Sequence, residues 1–125
     1  MSENEKVYDL EERTFLFAMR VRTFVKKIEN NIWNKEDIKQ VVRASGSVAA
    51  NYIEANEKLG DKDFIMKIRI SKKECKESIL WLRLLDVEDI MIEKERGELI
   101  QEATELKNIL GAIYQKTITK QQTQN

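Results

Sequence analysis

The sequence contains no histidine, and that absence removes more chemistry than any other. Serine, cysteine and aspartate triads rely on an imidazole base, and di-iron helical bundles rely on paired Glu-x-x-His motifs. Helical nucleases with an Arg-to-His motif lose their catalytic histidine too. Proline is also missing, and only 4 glycines occur in 125 residues, so the turn chemistry that strands need is scarce. The single cysteine, Cys75, excludes an intramolecular disulfide and leaves zinc nothing but carboxylates to complete a ligand set. No P-loop and no Gly-x-Gly-x-x-Gly occurs. No apolar run approaches the roughly 18 residues of a membrane span, and the N-terminus has no apolar leader core. A soluble cytoplasmic protein is expected, with no catalytic residue, no cofactor and no metal. An excess of one charge is lacking as well: 22 basic side chains meet 22 acidic ones, whereas a dedicated nucleic-acid binder carries a basic surplus.

What remains is rich in charge (35%) and in apolar residues (42%), arranged at helical spacing. Asp9-Leu-Glu-Glu12 has the form of a capping box. From there Leu10, Thr14, Phe17, Val21, Phe24 and Ile28 alternate steps of four and three, one seam along a helix ending near Asn30-Asn31. Asn34 reads as the next N-cap, followed by the seam Ile38, Val42, Ser45, Ala49, Tyr52 and Asn56, with Val41, Val48 and Ala55 beside it. Gly60 reads as the glycine that ends this second helix. Asp61 then opens a third helix with Ile65, Ile68, Lys72, Cys75, Ile79 and Leu82 on one stripe. Asp86 to Asp89 reads as a turn. A last helix from near Glu93 carries Leu99, Ala103, Leu106, Leu110, Ile113 and Thr117. Short connections predict antiparallel neighbours: an all-α, up-down-up-down four-helix bundle over residues 7–119, with flexible termini at 1–6 and 120–125.

Several groups of residues are candidates for function. Lys62, Lys67, Arg69, Lys72, Lys73 and Lys76 form a basic strip broken only by Asp63 and Glu74, either a solvated helix face or a track for phosphates. Arg20, Arg22, Lys26 and Lys27 form a smaller cluster. Glu74 and Glu77, with Glu54 expected opposite, suit intrabundle ion pairs better than acid–base or metal chemistry. Phe15 and Met19 give the first helix a second apolar face, and Trp81 lies on a flank of the third. All three are candidates for a contact between copies of the chain. The string Arg43-Ala-Ser-Gly-Ser-Val-Ala-Ala-Asn-Tyr-Ile-Glu-Ala55 places Gly46 within a helix, at a cost of about 1 kcal/mol against alanine. A close backbone approach is expected there. Ser47, Asn51, Glu54 and Lys58 make a polar stripe along the same helix. It either lines a groove for a partner or, through pairing of Glu54 and Asn51 with Lys72 or Arg43, fixes helix register.

The strings Tyr8-Asp-Leu-Glu-Glu-Arg-Thr-Phe15, Val42-Arg-Ala-Ser-Gly-Ser-Val-Ala-Ala-Asn-Tyr-Ile-Glu-Ala55 and Lys73-Glu-Cys-Lys-Glu-Ser-Ile-Leu-Trp-Leu-Arg-Leu-Leu85 resemble the bacterial four helix bundle protein family. Its founding members are encoded by intervening sequences within 23S ribosomal RNA genes. The resemblance implies an up-down bundle assembled as a ring-like homopentamer. The motif residues Arg43, Ser45, Gly46, Ser47, Asn51, Tyr52 and Glu54 would then pack within it or between its copies. A related branch, the accessory protein of diversity-generating retroelements, binds a reverse transcriptase and nucleic acid, but is strongly basic where this chain is neutral. The expected role is a non-enzymatic, homo-oligomeric scaffold or adaptor for another macromolecule, an unidentified protein partner included. The alternative is a nucleic-acid-binding accessory protein that uses the Lys62–Lys76 strip.

Overall fold

The computed structural model describes residues 3–57 and 59–124; Lys58, placed by the sequence on the polar stripe, and the terminal residues 1, 2 and 125 lie outside them. The described residues form four helices: α1 (Glu3–Val25), α2 (Lys35–Ala55), α3 (Asp61–Leu84) and α4 (Ile90–Gln124). No strand occurs among the described residues. Each helix touches the next in sequence and α1 closes the cycle against α4, while the diagonal pairs α1–α3 and α2–α4 stay apart. Cross-helix contacts fix the directions. Arg43, Val48 and Glu54 of α2 meet Glu74, Ser71 and Lys67 of α3 in descending order. Lys27, in the turn after α1, and Arg13 of α1 meet Glu95 and Glu102 of α4 in the same opposed sense. Arg96 and Gly111 of α4 likewise meet Leu82 and Lys72 of α3 in opposed order, so the bundle is up-down-up-down.

The α1 seam is buried from Leu10 through Thr14, Phe17, Val21 and Phe24 to Ile28, as the spacing predicts. Ile28 reaches the core from a turn rather than from the helix, because Lys27 and Ile28 bond back to Phe24 O and Val25 O at 3.0 and 3.1 Å. In α2 the buried arc is rotated towards Val41, Ala44, Val48 and Ala55, since a helix gripped by two neighbours buries a wider sector than one seam. Small residues there let α3 come close, and Ser71 Oγ donates to the Val48 carbonyl at 2.8 Å in the buried interface. Cys75 lies in the core, where burial pushes its thiol up to about 12.

Several helix ends differ from expectation. Helix α1 already runs from Glu3, so Asp9 is inside it rather than its cap, and α4 continues through Gln124; no proline or glycine interrupts either extension. Helix α2 stops at Ala55, and Gly60, at φ 123°, precedes α3 instead of closing α2. Helix α4 starts at Ile90 because Asp89 Oδ1 accepts from the Met91 and Ile92 amides at 2.8 and 3.1 Å. Asn34 does precede α2, but its side chain does not cap it. Asn31 Oδ1 accepts the Trp33 and Asn34 amides instead, both at 3.0 Å.

The freed Asn34 amide crosses between loops. It is fully buried, its Nδ2 donates to Glu29 O (3.1 Å) and Asp86 O (3.0 Å), and its Oδ1 accepts from Asp86 N (2.7 Å). The α1–α2 and α3–α4 connections are thereby tied together. Nearby, the Arg96 guanidinium of α4 donates to the Leu82 and Leu85 carbonyls at the end of α3, a favourable place for positive charge. Asn34→Ala strands one amide and two carbonyls out of water, at roughly 1–3 kcal/mol per uncompensated group. Urea unfolding should show a loss of about 2–4 kcal/mol; a loss well below 1 kcal/mol would mean that the loops hold together without the amide.

Candidate functional site

The α-helical repeat divides the six residues of the basic strip. Lys62, Arg69, Lys73 and Lys76 share one exposed face of α3, and Lys62 to Lys76 spans about 21 Å at 1.5 Å per residue. Lys67 points the other way, towards α2, where its Nζ donates to Glu54 Oε2 at 2.9 Å, and this contact raises its pKa. Lys72 leans onto α4, its Cε and Nζ within 3.5 and 3.6 Å of where a side chain on Gly111 would begin. Gly111 thus makes room for a lysine. Lys73 lies 3.9 Å from both Glu74 and Glu77. Among the described residues, Lys62, Arg69, Lys72 and Lys76 form no ion pair. Lys107 of α4 joins them across a groove of about 450 Å³ that Lys72, Lys76, Asn108, Gly111 and Gln115 also line. The sequence strip does not reveal Lys107, because only the register of α4 against α3 brings it there.

The motif residues of α2 turn in three directions. Ser45 and Tyr52 are buried, and Ser45 Oγ donates to the Val42 carbonyl of its own helix at 3.2 Å. Gly46 faces α1, but what a side chain there would meet is the tip of Arg22, with Nη2 at 3.3 Å, and no backbone. The close backbone approach expected at Gly46 is therefore not made within the chain; the close approach lies at Val48 and Ser71 instead. Arg43 reaches α3 and donates to Glu74 Oε2 at 2.9 Å and Glu77 Oε1 at 3.4 Å. Ser47 and Asn51 bond to each other, Asn51 Nδ2 lying 2.9 Å from both Ser47 O and Ser47 Oγ. Glu54, engaged with Lys67, does not face Glu74 and Glu77. The pairing of Glu54 and Asn51 with Lys72 or Arg43 is not formed; Arg43–Glu74 and Glu54–Lys67 bridge α2 to α3 in its place.

Phe15 and Met19 stand nearly half exposed on α1, at 47% and 46%. Trp81 is not their neighbour. It belongs to the diagonal helix and packs against the core from one side, with its indole N–H enclosed and unpartnered. Sequence reading missed a larger exposed group at the loop end: Ile32, Trp33, Ile90 and Met91. No group of three or more metal-ligating side chains occurs among the described residues.

Among the described residues Glu74 is the one carboxylate held inside the bundle, 3% exposed. Burial first, and then the adjacent Glu77 carboxyl, hold it above the usual carboxylate range against the opposing pull of Arg43. Ionisation therefore costs the folded state more than the unfolded one. The contribution of Glu74 is fully favourable below its unfolded value and is lost as pH rises through the raised folded one. Glu74→Gln keeps a neutral group at every pH. By urea midpoint the variant should be at least as stable as the native chain at neutral pH, with the gap closing as pH falls through the carboxylate range. A variant less stable at neutral pH would show that the Arg43 contact outweighs burial.

Comparison with known proteins adds a family to this geometry. No curated protein matches the sequence significantly. The crystal structure of a protein of unknown function from the S23 ribosomal protein family of Bacteroides thetaiotaomicron VPI-5482 is similar, with a TM-score of 0.71 and 25% identity over 84% of this chain and 97% of that one. The model of the 23S rRNA-intervening sequence protein family matches residues 6–112, most of the chain and all of the four-helix core up to Gly111, and the chain belongs to that family.

Proposed function

We propose that this protein is a non-enzymatic scaffold or adaptor that acts as a homo-oligomer, with the ring-like pentamer of the family as its form and the cytoplasm as its setting. The outward face where α1 meets α2 carries this reading. Phe15, Leu16 and Met19 are half exposed on α1. The Arg22–Gly46 contact sets the register, so that Met19 and Phe15 climb α1 as the exposed residues Ala50 and Ile53 climb α2. An apolar face of this kind beside small residues suits a second packed surface. A second copy of the chain also supplies the reason for Gly46 that the isolated chain lacks. Identical faces repeated around a ring raise avidity without strong single contacts. Light scattering should give the mass of an oligomer for the native chain and a smaller particle for Phe15→Ser/Met19→Ser. Gly46→Leu should weaken assembly while changing the stability of the separated chain by under about 1 kcal/mol, because only the flexible end of Arg22 must move. A monomeric native chain would overturn the reading.

Nucleic-acid binding is a second reading, favoured by Arg69, Lys72 and Lys76 along α3 and by Lys107 across the α3–α4 groove. In this form the protein would be an accessory to a nucleic-acid enzyme such as a reverse transcriptase, with the cations multiplied around the ring. Gel-shift titration should show binding to RNA or single-stranded DNA that strengthens as salt falls. Lys72→Ala/Lys76→Ala/Lys107→Ala should flatten the salt dependence by about 2 units, roughly 0.7 per phosphate contact on a single strand. No shift at low salt would remove this reading.

A further inference from the structure

The loop end of the bundle combines exposed apolar side chains with excess negative charge. Ile32 and Trp33 precede α2, and Ile90 and Met91 open α4; they are 86%, 72%, 81% and 68% exposed. The Asn34–Asp86 bonds hold the two loops side by side, so these residues belong to one end rather than to scattered positions. Between the loops lies a cleft of about 250 Å³ with Ile28, Val87 and Ile92 as apolar lining and Glu29, Asp86, Glu88 and Asp89 as acidic lining. Its only cation, Lys27, is engaged with Glu95 at 2.9 Å. Four acidic residues thus line the cleft, one of them, Asp89, with an oxygen already bonded to the amides that open α4, and its lysine is paired.

We propose that this end docks a basic, apolar-anchored helical segment of a partner protein, with an arginine or lysine in the acidic cleft and apolar residues on Trp33, Ile90 and Met91. The proposal deepens the adaptor reading by naming a contact surface and the chemistry of what it holds. Charge selects the occupant. An acidic or neutral apolar segment would bring its own charge, or none, to a cleft that repels anions, and nucleic acid would be repelled outright. A long cationic side chain reaches a carboxylate-lined cleft while its stem stays on apolar surface. The rigid loop pair favours the contact further, because little ordering is needed on this side. The surface is separate from the α1–α2 face that carries self-association and from the cationic face of α3.

The test uses the full-length protein and two fluorescein-labelled helical peptides of identical leucine pattern, one with lysine and one with glutamate at the polar positions. The lysine peptide should bind saturably, at least tenfold more tightly than the glutamate peptide. Trp33→Ser/Met91→Ser, which alters only exposed side chains, should weaken binding at least tenfold, with unchanged circular dichroism. Phe15→Ser/Met19→Ser should bind as the native chain does. The proposal falls if the lysine peptide does not bind, if both peptides bind alike, or if the Trp33/Met91 variant binds unchanged. It also falls if that variant lowers the solution mass, since the end would then be a contact between copies. A native monomer that binds the lysine peptide would end the oligomer reading and leave the docking end standing; an oligomer that ignores the peptide would do the reverse.

Discussion

One buried side-chain amide governs how the two halves of this bundle meet. Asn34 donates to a carbonyl in its own loop and exchanges two hydrogen bonds with the backbone of Asp86 in the opposite loop. Each half, α1–α2 and α3–α4, is a helical hairpin whose faces leave some freedom to slide. The amide removes that freedom at one end, because any shift separates polar groups that have no water to turn to. Arg96 reinforces the same end by seating its guanidinium on the last carbonyls of α3. The aligned Trp33, Ile90 and Met91 depend on this joint.

The buried stripe of the first helix was legible residue by residue, in the steps of four and three from Leu10 to Ile28, but the ends of the helix were not. The second was legible as a helix but not in its rotation, which is set by two neighbours at once. The role of Asn34 was not legible. Its type and place suit an N-cap, but Asn31 does the capping, and two of the three bonds that the Asn34 side chain makes cross 52 residues of sequence. The same holds for Lys107 and Gly111, whose meaning appears only when α4 is set against α3. By contrast, the separation of Lys67 from the rest of the strip follows from helical periodicity, while the start of α4 at Ile90 rather than near Glu93 turns on the cap that Asp89, placed by the sequence in a turn, provides. Gly46 marks a different limit. Its conformational cost was visible, but among the described residues no backbone comes close enough to call for it.

Zero net charge is a poor guide to this surface. The formal charges cancel in number yet segregate in space, with cations along the outer face of α3 and carboxylates at the loop end. A sum over the whole chain reports solubility and non-specific attraction, while each face presents its own local potential.

The border between α1 and α4 has a consequence of its own. Beside the core contacts, it is joined by Arg13 to Glu102 and Glu105 and by Lys27 to Glu95, with Arg13 34% and Lys27 50% open to solvent. The α2–α3 border carries ion pairs too, Arg43–Glu74 and Lys67–Glu54, but adds close packing of small residues and the buried Ser71 hydroxyl bond. Dissolved ions screen the pairs on both borders, and only α2–α3 keeps a polar contact out of their reach. Ionic strength therefore acts unevenly on this bundle, loosening α1 from α4 more than α2 from α3, so the order in which the helices let go depends on the medium as well as on the fold.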